Sequence, residues 1–228
     1  LEEAKADFTQ LEAWHNYYPR PETGLDYQWY AKKNRWLKEQ GFTIQGFVPG
    51  DKDLRGPVYQ GLPTLEKHRN IHPLAAAIEL AACQTDLVYI GDGGLSEEVR
   101  EQFLIYQQEQ SILLHIDVID HEFCEYVLGN HTNRQDDARD VLRSADARFR
   151  KIPYIPVRDT NERKKGSVTL DNEKYCRYMG EIQITKRDLP ADEKVNRVAQ
   201  VIEEELPLLE QIHAGVNFKL IKKEKKAN

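Results

Sequence analysis

What this chain has little of narrows it first. Its 228 residues hold three cysteines, Cys83, Cys124 and Cys176, with no C-x-x-C spacing. An odd, scattered set of thiols suggests neither a disulfide framework nor a thiolate zinc site, and predicts a reducing, cytoplasmic compartment. No signal-peptide pattern is visible. No apolar run is long enough to span a bilayer, and the mean hydropathy is −0.69, so no membrane partner is expected. Positive charge is in deficit, with 32 Lys and Arg against 38 Asp and Glu. The resulting net charge of −6 argues against nucleic acid as the ligand. The basic segment 219–226 is the exception and reads as a solvated terminal strand and tail. Walker, G-x-S-x-G and H-E-x-x-H patterns are all missing, so neither a metal nor an organic cofactor is implied. Methionine is scarce too. Residue 1 is Leu and the single Met is Met179, so the chain reads as an excerpt of a longer protein.

What is present is patterned. A hydrophobic content of 40% supports a packed core. Residues 9–15 read as a buried strand. Asp26 can cap a helix running through Gln40, with Tyr30 and Leu37 on one face and Gly41 just past its end. Residues 43–48 read as a second strand, ending at Pro49-Gly50-Asp51. A long Pro- and Gly-bounded loop leads to a helix over 73–82. A strand over 86–90 ends at Gly91-Asp92-Gly93-Gly94, and Ser96 caps a third helix with Glu97 and Glu98 in its first turn. Three strand-helix units in series make a parallel sheet with helices outside. They form either a small open sheet or the last part of a barrel, because three units cannot close eight strands.

The character changes near Gln110. Residues 111–119, 152–157, 167–170, 181–185 and 217–221 read as strands, with a short helix over 120–128. Over 195–206 the apolar spacing slightly favours a helix, although 198–202 also alternates as a strand does. The reading is an α/β domain over 1–110 followed by a β domain over 111–228.

Polar residues gather where the first three strands end. His15, Asn16, Tyr17, Tyr18 and Arg20 follow the first strand, Asp51 the second, and the glycine-rich turn the third. Such strand ends are where α/β folds build binding sites, although aromatics and Arg also close strand ends by packing. Gly91, Gly93, Gly94 and Ser96 can offer backbone N–H groups and a helix N-terminus to phosphate, with His68 and Arg69 adding charge-assisted bonds. Most glycine turns are only turns, and Asp92 would repel phosphate unless turned away. Trp14, Trp29 and Trp36 read as core.

The strings AWHNYYPRPETG, FVPGD, GLPTLEKHR, YIGDGG and GSVTLDNEKYCRYMGEIQITKRDLPADEKVN occur in this order. Together they resemble the MupG-type 6-phospho-N-acetylmuramidases, also called the outer surface protein family. The resemblance covers nearly the whole chain. It implies the last three strand-helix units of a TIM (β/α)8 barrel, followed by a cyclophilin-like β-barrel domain. The strands before His15, Asp51 and Asp92 would be the sixth, seventh and eighth, and the first five are absent. It also favours a strand near 195–202 and a short helix near 206–212. The implied activity is cytoplasmic hydrolysis of N-acetylmuramic acid 6-phosphate linked to N-acetylglucosamine, in recycling of cell-wall fragments.

Glycoside cleavage needs two carboxyl groups, one protonated and one ionised. Glu66 is the first candidate and Asp92 the second. A salt bridge from Glu66 to Arg69 or Arg55 is an equally good reading of the same residues. Glu12 reads as a buried structural partner. His15, Asn16, Tyr18, Arg20, Asp51, His68 and Arg69 would bind the sugar. Arg143, from the second domain, would close over the barrel mouth, although a solvated, ion-paired face is the plainer reading of it. Two rivals remain: a non-catalytic sugar-phosphate binding module, and an inactive piece whose open edge binds the absent strands or a second copy.

Overall fold

The structure, a computed structural model, describes residue 7, residues 10–151 and residues 153–224. The chain divides into two compact units, Leu1–Phe103 and Leu104–Asn228.

The first unit holds β1 (Glu12–Trp14), α1 (Tyr27–Glu39), β2 (Thr43–Val48), α2 (Pro73–Ala82), β3 (Leu87–Ile90) and the start of α3 (Glu97–Glu109). The strands form a parallel sheet in the order β1-β2-β3, with Glu12 opposite Thr43 and Gln45 opposite Leu87. Local chemistry sets the helix ends. The Asp26 carboxylate accepts from Trp29 N–H to start α1, and Gly41 takes φ 92° just beyond its end. A left-handed conformation there suits glycine. Pro73 opens α2, and His72 Nδ1 accepts from Leu74 N–H. Ser96 Oγ accepts from Val99 N–H at the start of α3. The core gathers Tyr30, Val48, Leu65, Ala76, Ala77, Leu80 and Cys83. Each large apolar side chain removed from water there contributes roughly 1.5–3 kcal/mol. Tyr30 is fully buried, and its hydroxyl bonds Thr85 Oγ1 at 2.6 Å.

This unit corrects the expected TIM-barrel portion. Its three parallel strands form an open sheet, and among the described residues no further strand pairs with β1 or β3. Of the alternatives the strand-helix pattern left open, the small open sheet is the one present. The expected buried strand at 9–15 is also corrected: β1 is three residues long and half-exposed, because among the described residues one of its edges has no strand neighbour, while residue 9 lies outside the described residues. The tryptophans are corrected with it. Trp14, Trp29 and Trp36 are 66%, 52% and 49% exposed. Trp14 belongs to a row of rings across the sheet, packing on Phe47 at 5.6 Å, which in turn packs on Tyr89 at 5.8 Å.

The second unit carries β4 (Ser111–Val118), α4 (Cys124–Val127), β5 (Gly129–Thr132), β6 (Val141–Arg143), β7 (Ser167–Asp171), β8 (Ile182–Thr185), β9 (Val195–Val201) and β10 (Asn217–Lys222). These strands form one seven-stranded mixed sheet in the order β5-β10-β4-β9-β7-β8-β6. Only β4 and β10 pair in parallel, with Ser111 opposite Asn217. An isolated bridge between Asn133 and Ser144 joins the two outer strands, and Arg134 N–H bonds Arg143 C=O at 3.0 Å. The sheet is thus nearly closed. It stands in place of the expected cyclophilin-like barrel. Its interior is apolar: Ile112, Leu114, Leu142, Val168, Leu170, Ile182, Ile184, Val198 and Phe218 are all buried.

Residues 195–201 form a strand, as the resemblance implied, and the spacing argument for a helix is overturned. A 3-10 segment, Glu203–Gln211, follows with Pro207 inside it. No strand forms over 153–157, and Ile152 lies outside the described residues. Two strands that the pattern did not announce, β5 and β6, supply the sheet's outer edges.

Candidate functional site

The loops that follow β1, β2 and β3 are held together by the residues that sequence reasoning singled out. Asp92 is the hub. Its Oδ2 accepts from Gly50 N–H at 2.9 Å and Leu62 N–H at 3.0 Å, and its Oδ1 accepts from Arg55 N–H at 3.1 Å. The side chain is buried, so its charge is spent on three backbone donors instead of facing solvent. Asp51 repeats the device by accepting from Ser96 N–H at 2.8 Å.

Glu66 is a second fastener. It lies in the 3-10 turn Glu66–His68 and meets Arg69 through two parallel contacts, Nε to Oε1 and Nη2 to Oε2, both 2.6 Å. Its oxygens also accept from Glu22 N–H at 2.8 Å and Gly24 N–H at 2.7 Å. The Arg69 hydrogen bonds, reinforced by the two backbone donors against a desolvation cost, pull the Glu66 carboxyl down to about 2. Arg69 in turn donates to the carbonyls of Gly61 and Arg20. Of the two readings of Glu66 in the sequence, the geometry displays the ion pair with Arg69.

Three amides at the glycine turn are already taken. Gly91 N–H bonds Val48 C=O at 2.9 Å, Gly93 N–H bonds Asp53 C=O at 3.0 Å, and Ser96 N–H is held by Asp51. The glycines here serve close packing. A Cβ on Gly91 would lie 2.3 Å from Leu62 C=O, and one on Gly93 2.6 Å from Asp53 C=O. Gly91→Ala is therefore expected to destabilise the first unit by about 1–3 kcal/mol, the usual range for forced overpacking. A chemical-denaturation midpoint equal to that of the parent chain would contradict this.

His15 turns toward the helices. Its Nε2 meets Asn34 Oδ1 at 2.6 Å and its ring packs on Tyr30 at 4.6 Å. Burial holds its pKa down, opposed by the Asn34 bond. His68 is buried, with Nε2 2.5 Å from Glu79, and burial lowers its pKa against that partner. Asn16 caps its own neighbour, accepting from Tyr17 N–H at 2.9 Å. Tyr18 donates its backbone N–H to Pro63 C=O, and Arg20 is exposed. Arg143 lies in the second unit, where Glu181 receives its Nε at 2.8 Å and its Nη2 at 3.2 Å. Among the described residues no group of three His, Cys, Asp or Glu is placed to hold a metal ion.

The structure adds residues that the strings did not single out. Buried Thr64 laces two loops, donating to Asn16 C=O at 2.9 Å and accepting from Phe47 N–H at 2.8 Å. Arg55 is exposed, with Nη1 on Gly91 C=O at 3.2 Å and its guanidinium 5.6 Å from the Tyr17 ring centre. A lone Arg in a polar loop carries no spacing signal, so only the fold shows what it joins.

Known proteins place this arrangement. The N-terminal pattern of the 6-phospho-N-acetylmuramidases matches residues 1–104, and the C-terminal pattern matches residues 112–221. The chain belongs to the 6-phospho-N-acetylmuramidase family. A crystal structure of a conserved protein of unknown function from Enterococcus faecalis is 49% identical, with a TM-score of 0.89, over 97% of this chain and 62% of that one. An uncharacterized B. cereus protein is 30% identical, with a TM-score of 0.76, over 96% of this chain and 65% of that one. The chain thus spans less than two thirds of the length of either solved relative. No curated protein matches it.

Proposed function

We propose that this chain takes part in hydrolysis of the glycosidic bond between N-acetylmuramic acid 6-phosphate and N-acetylglucosamine, in cytoplasmic recycling of cell-wall fragments. The observation that carries the reading is the family match through both units. The family implies a phospho-sugar substrate. The interlocked loops at the carboxyl ends of β1, β2 and β3 support the same reading, since polar groups converge there on a rigid base.

Within this proposal the carboxylates divide by their surroundings. A general acid must hold a proton near neutral pH. Glu66, held to about 2 by Arg69, stays ionised, and Asp92 is enclosed by backbone donors. Both set the loops, and Glu66, ionised at neutral pH, is not the proton donor. Asn16, Tyr18 and Arg20, on the loop after β1, remain the groups proposed to meet sugar hydroxyls and the lactyl carboxylate. The test is hydrolysis of the 6-phospho disaccharide, followed by release of N-acetylglucosamine. Binding of the disaccharide without any turnover would instead favour a sugar-phosphate binding module.

A further inference from the structure

Phosphate recognition in this molecule needs donors, and the glycine turn has largely spent its own. The amides of Gly91, Gly93 and Ser96 each have an acceptor within the loops. The same interlock holds the Arg55 side chain beside them. Arg55 is fixed at three points: its backbone N–H on Asp92 Oδ1 at 3.1 Å, its Nη1 on Gly91 C=O at 3.2 Å, and its guanidinium over Tyr17. Tyr17 is itself braced edge-on by Phe47, with ring centres 5.2 Å apart. Among the described residues no carboxylate lies within ion-pair distance of Arg55, in contrast to Arg69, which Glu66 occupies. Among the described residues, Nε and Nη2 of Arg55 meet no acceptor.

We propose that Arg55 is the phosphate-recognising residue of this site, taking the 6-phosphate monoester of the sugar on its free guanidinium edge. The inference rests on the phospho-sugar reading above and deepens it. A planar guanidinium presents parallel N–H donors that match phosphate oxygens, and holding it beforehand reduces the ordering cost of binding. The oxygens of Asp92 are turned inward on Gly50, Leu62 and the Arg55 amide, which lessens their repulsion of an anion.

The test is calorimetric titration of the chain with N-acetylmuramic acid 6-phosphate and with unphosphorylated N-acetylmuramic acid. Both carry the lactyl carboxylate, so the difference isolates the phosphate. The parent chain is expected to favour the phosphorylated sugar. Arg55→Ala is expected to weaken that sugar by about 10- to 100-fold, the range for losing a hydrogen bond to a charged group, and to leave the unphosphorylated sugar unchanged. Arg55→Lys, which keeps the charge and loses the planar fork, is expected to recover part of the preference. Arg55 is exposed, and its amide bond to Asp92 survives either change, so both variants are expected to fold. If Arg55→Ala discriminates between the two sugars as well as the parent does, the assignment of Arg55 is overturned while the phospho-sugar reading stands. If the parent chain itself shows no preference, the phospho-sugar reading falls and the assignment falls with it.

Discussion

Glu66→Ala is expected to lower the stability of the first unit by about 1–3 kcal/mol, the usual cost of leaving a buried donor without its acceptor. The loss has a definite origin. Arg69 is a buried residue whose guanidinium is compensated by Glu66, and the same carboxylate also satisfies two loop amides. Alanine removes all of these acceptors at once. Glu66→Gln is expected to cost less, because its amide oxygen still accepts a hydrogen bond while the charge is gone. Acid should mimic the variant. The Glu66 carboxyl is lowered from 4.5 to about 2 in the folded chain, so its contribution is complete above pH 4.5 and disappears as the pH falls toward 2. That contribution is at most about 3 kcal/mol and is reduced by solvent screening, since the side chain is 32% exposed. Urea titrations of the parent and Glu66→Ala at pH 7 and pH 3 would read both effects. A variant as stable as the parent at pH 7 would mean that the loops stand without this clamp.

Asp171→Asn should act in the opposite direction, stabilising the second unit in alkali. Asp171 ends β7, is buried, and leaves Oδ1 with no hydrogen-bond partner. Burial, together with the Glu181 and Asp192 carboxylates, pushes its pKa from 3.8 up to about 7, against the opposing pull of Arg163 and Arg143. The sign follows from proton counting. Between about pH 4 and pH 7 the folded chain keeps a proton that the unfolded chain has released, so stability falls as the pH rises through that window. Above pH 7 the accumulated penalty approaches ~4 kcal/mol as an upper bound. Asparagine carries no charge, and its amide can donate toward the neighbouring carboxylates. The variant is expected to exceed the parent by a few kcal/mol at pH 8 and to match it at pH 4, as read by thermal unfolding at both values. Equal melting temperatures at pH 8 would show that Asp171 is ionised in the fold without cost.

Much of the first unit was legible because its signals are local. Asp26 and Ser96 mark helix starts by hydrogen bonds made within a turn, Pro73 by its fixed φ, and each marks one in the structure. The strand over 43–48 was legible because it is central and buried. What short-range pattern does not carry is the number of strands a sheet gathers, so the series of strand-helix units fits an open sheet or a barrel equally well. The exposed tryptophans show the same gap, since ring size predicts burial only where something lies opposite. In the second unit, β5 reads GNHT and β6 reads VLR, too short and too polar for alternation to show. The site was half legible. Residue type announced that the strand ends are polar, but it could not say that Glu66, Asp51 and Asp92 spend their oxygens on neighbouring loops. Nor could it show that Arg55 keeps a free edge.

The parallel pairing of β4 with β10 sets an order of events during synthesis. β10 lies between β5 and β4, so β5 lacks its strand partner until residues 217–222 are available and is tied to β6 through the Asn133–Ser144 bridge at its end. The earlier strands leave the ribosome with that slot unfilled and their apolar faces uncovered. Folding of the second unit therefore waits for β10 and is dominated by contacts distant in sequence, a topology that slows folding. A nascent chain stalled before residue 217 would be a substrate for chaperones, and the step that completes this unit belongs after translation of β10.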